Sequence, residues 1–251
     1  MNWELKDQVV LITGAGRGLG RDVALLLAKN GAKVGVCDID AKTAKETEDL
    51  ILKAGGHATA FVFDVSDRAM FLEAAAQFAK LHRRIDAVVN NAMILKYEPV
   101  ENVTDETVEK MMGVGVKGSL WGAQALLAHM DKARGGAIIN MSSPVAEKGY
   151  PGTAVYSLVK GALFTLTKQL AAELGPRGVR VNAVAPGSVP TPGALGLNAP
   201  EVYEQRKKSI PLRRIGASED NAQAVAFLLS PAASYINGEI LHVDGGAVAA
   251  G

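Results

Sequence analysis

The 251-residue chain has almost no cysteine, few aromatic residues, no surplus of either charge and no long apolar run. Its single cysteine, Cys37, rules out an intrachain disulfide framework. Its place in Val34-Gly35-Val36-Cys37 reads as a small buried residue rather than a reactive thiol. That usage suits a reducing compartment, and a cytoplasmic protein is expected. Lys and Arg number 27 against 26 Asp and Glu, a formal net charge of +1. Such a balance sets up no field that would draw in nucleic acid or an anionic membrane surface. No window approaches the roughly 18 apolar residues that a membrane span needs. The opening MNWELKDQ lacks the charged start, apolar core and cleavage site of a leader, so a soluble, unprocessed chain is expected. His57, His82, His129 and His242 stand apart, without the spacing of a catalytic metal site. What these absences leave is a small-molecule partner, with no nucleic acid, membrane or metal.

What is present is ordered by alternation. Hydrophobic residues make up 48% of the chain, ample for a sizeable core. Short β-branched runs at 9–13, 33–37, 59–63, 85–89, 137–141, 179–184 and 239–243 read as strands. Between them lie segments of helical length, such as 20–30, 41–54 and 67–81, bounded by turn residues. Near-continuous apolar strands separated by helices call for a parallel sheet covered on both faces. The expected fold is therefore α/β, a single doubly wound Rossmann-type domain over residues 1–251 with a seven-stranded parallel sheet. One stretch breaks the rhythm. Residues 188–212 carry Pro190, Pro192, Pro200 and Pro211 with Gly193 and Gly196, and a long irregular insertion of this kind is usually a binding loop.

The first strand runs straight into Thr13-Gly14-Ala15-Gly16-Arg17-Gly18-Leu19-Gly20, where the next helix begins. Glycines let the backbone turn sharply and approach a pyrophosphate, and the helix offers free N–H groups at its positive end. Gly14, Arg17, Gly18, Leu19 and Gly20 are the candidate residues of a dinucleotide cradle. Asp38 follows 18 residues after Gly20, where a carboxylate can accept hydrogen bonds from both adenosine ribose hydroxyls. It also repels a 2′-phosphate, by about 4 kcal/mol for a like-charge pair at about 4 Å and an effective dielectric of about 20. Asp38 thus argues for NAD. Arg17 argues for NADP, since its guanidinium can reach a 2′-phosphate, stay solvated or pair with Asp38. NAD is the cofactor expected, with NADP less favoured.

Taken together, these motifs resemble the classical short-chain dehydrogenases and reductases over essentially the whole chain. The glycine pattern is the first match. The resemblance implies that Asp64 and Val65 contact adenine and that Asn91 and Ala92, in Asn90-Asn91-Ala92, lie against the cofactor. It also implies that Asn182 with Pro186, Gly187, Val189 and Thr191 holds the nicotinamide carboxamide. Ser143, Tyr156 and Lys160 keep the family's catalytic spacing, and Asp244-Gly245-Gly246 closes the chain as expected. Physical chemistry supplies roles beside the resemblance. Tyr156 and Lys160, four apart on a predicted helix, share a face, and an ammonium beside a phenol stabilises phenolate. Tyr156 then serves as general acid or base, and Ser143 donates a hydrogen bond to the substrate oxygen. Lys160 also holds the nicotinamide ribose. Ser142 is read as structural, because Ser143 has the right separation of 13 residues from Tyr156.

Two positions depart from the family pattern. Gly115, in Met112-Gly113-Val114-Gly115, stands where the family has an asparagine that holds a water on the lysine's proton path. Met93 stands where Asn-Asn-Ala-Gly would end in glycine; it is either strained by a positive φ or turned toward the cofactor or substrate region. Pro144, Val145 and Tyr150 are candidate substrate-pocket residues, joined by the loop's apolar Ala194, Leu195 and Leu197. Arg206-Lys207-Lys208, on a predicted helix at 200–209, reads as a solvated face or as a greeting for an anionic carrier. The expected activity is NAD(H)-dependent interconversion of a secondary alcohol and a ketone, on an apolar cyclic or aromatic substrate. The alternatives are an NADPH-dependent 3-oxoacyl-thioester reductase and a cofactor-binding subunit with little catalysis. By resemblance the chain forms a homotetramer through helices at 105–131 and 153–174.

Overall fold

Residues with β-branched side chains line up edge to edge wherever both faces are covered, and here they build one parallel sheet. In a computed structural model that describes residues 3–195 and 200–250, the strands are β1 (Val9–Thr13), β2 (Lys33–Asp38), β3 (His57–Val62), β4 (Ala87–Asn90), β5 (Gly136–Met141), β6 (Val179–Pro186) and β7 (Ile240–Val243). Their order is β3-β2-β1-β4-β5-β6-β7, and every pair is parallel. The order reverses between β1 and β4, which opens a crevice at the carboxyl ends of these two strands.

The helices are α1 (Gly18–Lys29), α2 (Ala41–Lys53), α3 (Arg68–His82), α4 (Asp105–Met112), α5 (Gly118–His129), α6 (Ala154–Leu174), α7 (Pro192–Leu195), α8 (Pro200–Ser209) and α9 (Ser218–Leu229). Strand side chains alternate between two cores, as a period of two requires. Val10, Ile12, Val34 and Val36 pack against Val23 and Leu27 of α1 and Val225 and Leu229 of α9. Val9, Leu11, Cys37 and Val88 face the other way, onto Phe71 and Phe78 of α3, Leu126 of α5 and Leu170 of α6. Cys37 is fully buried there, and burial drives its thiol far above the ordinary range, so it is not a reactive group.

Several boundaries differ from the periodicity. Gly55, at φ 80°, ends α2 in a tight turn, so β3 starts at His57, opposite Lys33, rather than at residue 59. β4 starts at Ala87, because the Asp86 carboxylate accepts a hydrogen bond from the Val9 amide at 2.9 Å and anchors the entry of β1. The long helix expected over 105–131 is α4 and α5 joined by a π-helical turn, Gly113–Lys117, and it stops at His129. The loop at 188–212 holds α7 and α8. Of its apolar residues, Leu197 lies outside the described residues.

Candidate active site

Parallel strands deliver the ends of β1, β2, β4, β5 and β6 to one edge of the sheet, and the residues singled out from the sequence gather along it. At the end of β1, Gly14 takes φ 62°, and a Cβ there would lie 2.9 Å from Ala92 Cα. A Cβ on Gly20 would run into the Gly14 carbonyl. The cradle is fixed from β4. Asn91 Nδ2 donates to the carbonyls of Thr13 at 2.9 Å and Gly14 at 3.0 Å, and the amides of Asn91 and Ala92 donate to Thr13 Oγ1. On the far side, the Cβ position of Gly18 lies 3.5 Å from Thr191 Cβ, so the glycine turn and the loop after β6 form two walls of one cleft. A backbone held this open, beside the free N–H groups of α1, fits a pyrophosphate.

Asp38 closes the other end. Its carboxylate accepts from Gly16 N at 2.8 Å and Asp40 N at 3.1 Å. Arg17 is exposed and, among the described residues, forms no ion pair with Asp38. The sequence reading missed Arg21, which holds the Gly16 carbonyl and Thr47 and pairs with Glu46 at 3.1 Å, tying the turn to α2. It carries no local signal in the sequence, because only the return of α2 brings Thr47 and Glu46 to it. Asp64 Oδ1 accepts from Ser66 N and Oγ, both at 2.8 Å, while Val65 is buried against Gly118. Asn182 does not reach the cleft. It is buried, donating to Ile236 O and accepting from Glu239 N, both at 2.9 Å, and so joins β6 to β7. Pro186 ends β6, and Gly187 N bonds to Val243 O at 3.0 Å, a close approach that a side chain would block against Asp244. Val189 is buried, and its carbonyl accepts from Thr191 N at 2.9 Å.

Ser143, Tyr156 and Lys160 meet above β5. Ser143 leaves the strand in extended backbone, buried, with its Oγ accepting weakly from Val145 N at 3.4 Å. The Ser142 hydroxyl is committed elsewhere, to the Lys160 carbonyl at 3.0 Å. Lys160, 4% exposed, donates from Nζ to Met141 O at 2.6 Å and stands 5.6 Å from the centre of the Tyr156 ring. Burial pushes its ammonium down to about 7. The Tyr156 phenol moves up from its ordinary range, mainly by burial and then by the nearby Tyr97 phenol, with the Ser143 hydroxyl opposing. A proton donor and an ammonium poised near neutrality therefore lie together, Lys160 fully enclosed and Tyr156 half-buried.

The pocket walls differ in part from the expectation. Pro144 is buried and Val145 half-buried, but Tyr150 is 45% exposed. The aromatic ring against Tyr156 is that of Tyr97, 5.7 Å away and edge-on, which sequence reasoning did not single out. It sits in the loop after Asn91-Ala92, where no periodicity marks a residue. Met93 has no positive φ; among the described residues Glu4, Asp7, Arg83 and Arg213 are the non-glycine residues that do. Its side chain packs with Met111, Val155, Val159 and Tyr156. The basic run on α8 divides. Lys207 pairs with Glu204 at 2.6 Å, while Arg206 turns inward, bonding Ser188 Oγ at 3.2 Å and lying 5.9 Å from the Tyr203 ring centre.

Comparison with known proteins agrees with this geometry. Residues 14–248 match the family model described as enoyl-(acyl carrier protein) reductase. A 3-oxoacyl-[acyl-carrier-protein] reductase of Thermotoga maritima is 37% identical, covering 97% of this chain and 99% of that protein. A cyclopentanol dehydrogenase of Comamonas sp. is 35% identical, covering 96% and 97%. A 7α-hydroxysteroid dehydrogenase solved with NADH and 7-oxo glycochenodeoxycholic acid superposes with a TM-score of 0.94 at 32% identity, covering 98% of this chain and 96% of that one.

Proposed function

The chain belongs to the short-chain dehydrogenase/reductase family, oxidoreductases that use a nicotinamide cofactor, and from that premise we propose that it interconverts a secondary alcohol and a ketone with NAD(H). The observation that carries the proposal is the trio of buried Ser143 and Lys160 with half-buried Tyr156, beside the cleft of Gly14, Gly18 and Thr191.

In this reading Gly14, Arg17, Gly18, Leu19 and Gly20 hold the pyrophosphate. Asp38 holds the adenosine ribose, Asp64 and Val65 the adenine, and Asn91, Ala92, Pro186, Gly187, Val189 and Thr191 the nicotinamide half. When bound, the cofactor supplies or takes up a hydride at the substrate carbon. For ketone reduction the Tyr156 hydroxyl donates its proton to the carbonyl oxygen while the Ser143 hydroxyl donates a hydrogen bond to the same atom. Developing charge is thus met by donors already in place. Lys160 stabilises the phenolate left behind, and two of its three N–H groups remain for the nicotinamide ribose once Met141 O has taken one. Alcohol oxidation runs these roles backwards. Buried Pro144, half-buried Val145 and Met93, and the ring of Tyr97 favour an apolar cyclic or aromatic body. The names of the cyclopentanol and hydroxysteroid relatives point the same way.

NADPH-dependent reduction of 3-oxoacyl thioesters is the second reading, favoured by the 37% identical Thermotoga maritima reductase. Asp38, held by two backbone amides at the end of β2, argues against a 2′-phosphate. The family resemblance extends the proposal to a homotetramer in the cytoplasm, which light scattering on purified protein checks for the oligomer. The decisive experiment titrates the protein with NADH and with NADPH, then follows cofactor absorbance with apolar ketones and 3-oxoacyl thioesters, running Tyr156→Phe alongside. Tighter NADH binding with ketone turnover lost in Tyr156→Phe is the expected result. Tighter NADPH binding with thioester turnover establishes the second reading. Cofactor binding without any turnover above the Tyr156→Phe background leaves a cofactor-binding subunit.

A further inference from the structure

We propose that Tyr97 is a positioning residue for the reaction at Tyr156: its ring holds the Tyr156 ring in place and keeps water off the phenol. This goes beyond the ketone reading and rests on it. Tyr97 lies in the connection between β4 and α4. Its ring meets that of Tyr156 edge-on, with centroids 5.7 Å apart and planes at 60°, the kind of arrangement that ring quadrupoles favour. Tyr97 is 36% exposed, so one side packs on Tyr156 and the other meets solvent.

A brace works only if it is itself fixed, and the backbone on either side of Tyr97 is tied to three other elements. Leu95 Cδ1 lies 3.8 Å from the Cβ position of Gly193 in α7. Lys96 Nζ donates to Thr107 Oγ1 of α4 at 2.8 Å and pairs with Glu98 at 2.7 Å. The Glu98 amide donates to the Gly152 carbonyl at 2.8 Å, and Gly152, at φ 77°, stands in the turn from which α6 starts at Ala154. The two tyrosines thus hang from one hydrogen-bonded junction, which sets the spacing of their rings. The other sides of Tyr156 are taken. Lys160 faces it from α6 and the Ser143 hydroxyl from the end of β5, and Met93, Met111 and Val159 form the wall behind. Asp105, Glu106, Glu109, Lys110 and Lys117, the charged residues of α4 and the π turn, are exposed. Tyr97 supplies cover on the side these leave, and Arg206 and Tyr203 of α8 lie within electrostatic reach of Tyr97 itself. Next to burial, Tyr97 is what lifts the Tyr156 phenol.

The test follows reduction of acetophenone and cyclopentanone with NADH, and oxidation of their alcohols with NAD, from pH 6 to 10. The proteins are the wild type, Tyr97→Phe, Tyr97→Ala and Val100→Ala, the last a control for loosening of the same connection at a residue that is 73% exposed. Melting curves and NADH titration check that each is folded and binds cofactor. In Tyr97→Ala the reduction kcat should fall about tenfold, because the proton donor loses its alignment. The climb of oxidation with pH should level off about one pH unit lower, because water reaches the phenolate. Tyr97→Phe, which keeps the ring, should restore both, and Val100→Ala should change neither. A Tyr97→Ala variant that raises KM alone, with the wild-type kcat and pH profile, makes Tyr97 a plain pocket wall and overturns the positioning role. So does a Tyr97→Phe variant as impaired as Tyr97→Ala, or an equal loss in Val100→Ala; in each case the ketone reading stands. If NADH binds but the wild type turns over neither ketone nor either alcohol, the ketone reading falls and this inference falls with it.

Discussion

Lys160→Met should make the protein more stable at pH 6 and no more stable at pH 9.5. The buried ammonium is pushed from its ordinary 10.5 to about 7. At roughly 1.4 kcal/mol for each tenfold change, that displacement corresponds to about 5 kcal/mol. The sign follows from proton binding. Below pH 7 the lysine is charged in both folded and unfolded chains, and the folded state bears the whole cost of holding an ammonium away from water. Between pH 7 and 10.5 the unfolded chain still binds the proton and the folded chain does not, so stability rises with pH by about 1.4 kcal/mol per unit. Methionine removes that cost but strands Met141 O, which Lys160 Nζ now serves at 2.6 Å. A stranded buried acceptor costs about 1–3 kcal/mol. The variant should therefore gain roughly 2–4 kcal/mol at pH 6, and the gain should shrink to nothing or reverse by pH 9.5. Urea melts of cofactor-free protein, followed by the fluorescence of Trp3 and Trp121, give the difference at each pH. A difference that stays flat between pH 6 and 9.5 would refute a depressed Lys160.

Other outcomes follow from the same geometry. Because burial keeps the Tyr156 phenol protonated well beyond neutrality, ketone reduction should outrun alcohol oxidation at pH 7, and oxidation should climb with pH as phenolate forms; initial rates in both directions from pH 6 to 10 check this. Asp38→Ser should improve NADPH binding relative to NADH by about tenfold or more, the effect of removing one like charge, read by cofactor fluorescence titration. Gly115→Ala should destabilise by about 1–3 kcal/mol through overpacking against Val159, although alanine is the better helix former by up to about 1 kcal/mol. Adding Val159→Ala should recover part of that loss, and non-additive urea melts of the double variant are the readout.

The sheet was legible because its signals are local and redundant. The apolar runs that became β1, β5 and β6 needed only alternating helices to be read as parallel, and Gly14, Asp38 and Ser143 each fall where a strand ends. What escaped has no local signature. Arg21 looks like any helix-surface arginine until α2 folds back over it. Asn182 carries a motif resemblance to a cofactor ligand, yet its amide is committed to Ile236 and Glu239 across β6 and β7, a pairing separated by more than fifty residues. Tyr97 lies in an irregular loop, and only the approach of α6 brings Tyr156 against it. Tyr150, close to the catalytic residues in sequence, is instead largely exposed. Sequence proximity gave no hint of Tyr97.

The two departures from the family pattern are better understood as one. A glycine at 115 and a methionine at 93 look, in sequence, like separate losses near a catalytic centre. In space they are neighbours: a Cβ on Gly115 would sit 3.1 Å from Met93 Sδ and collide with Val159. The methionine therefore occupies part of the volume an asparagine side chain would need, and the helix gives way to a π turn at the same place. Met93 avoids positive φ, so nothing in the backbone demanded glycine there. The exchange leaves an apolar wall of Met93, Met111, Val155 and Val159 behind Tyr156. Such a wall raises the cost of phenolate and so increases the dependence of Tyr156 on the Lys160 charge. Reverting Gly115 alone to asparagine should therefore fail sterically, whereas reverting it together with shortening of Met93 and Val159 is the route by which a polar back wall, and a lower alkaline threshold for alcohol oxidation, would return.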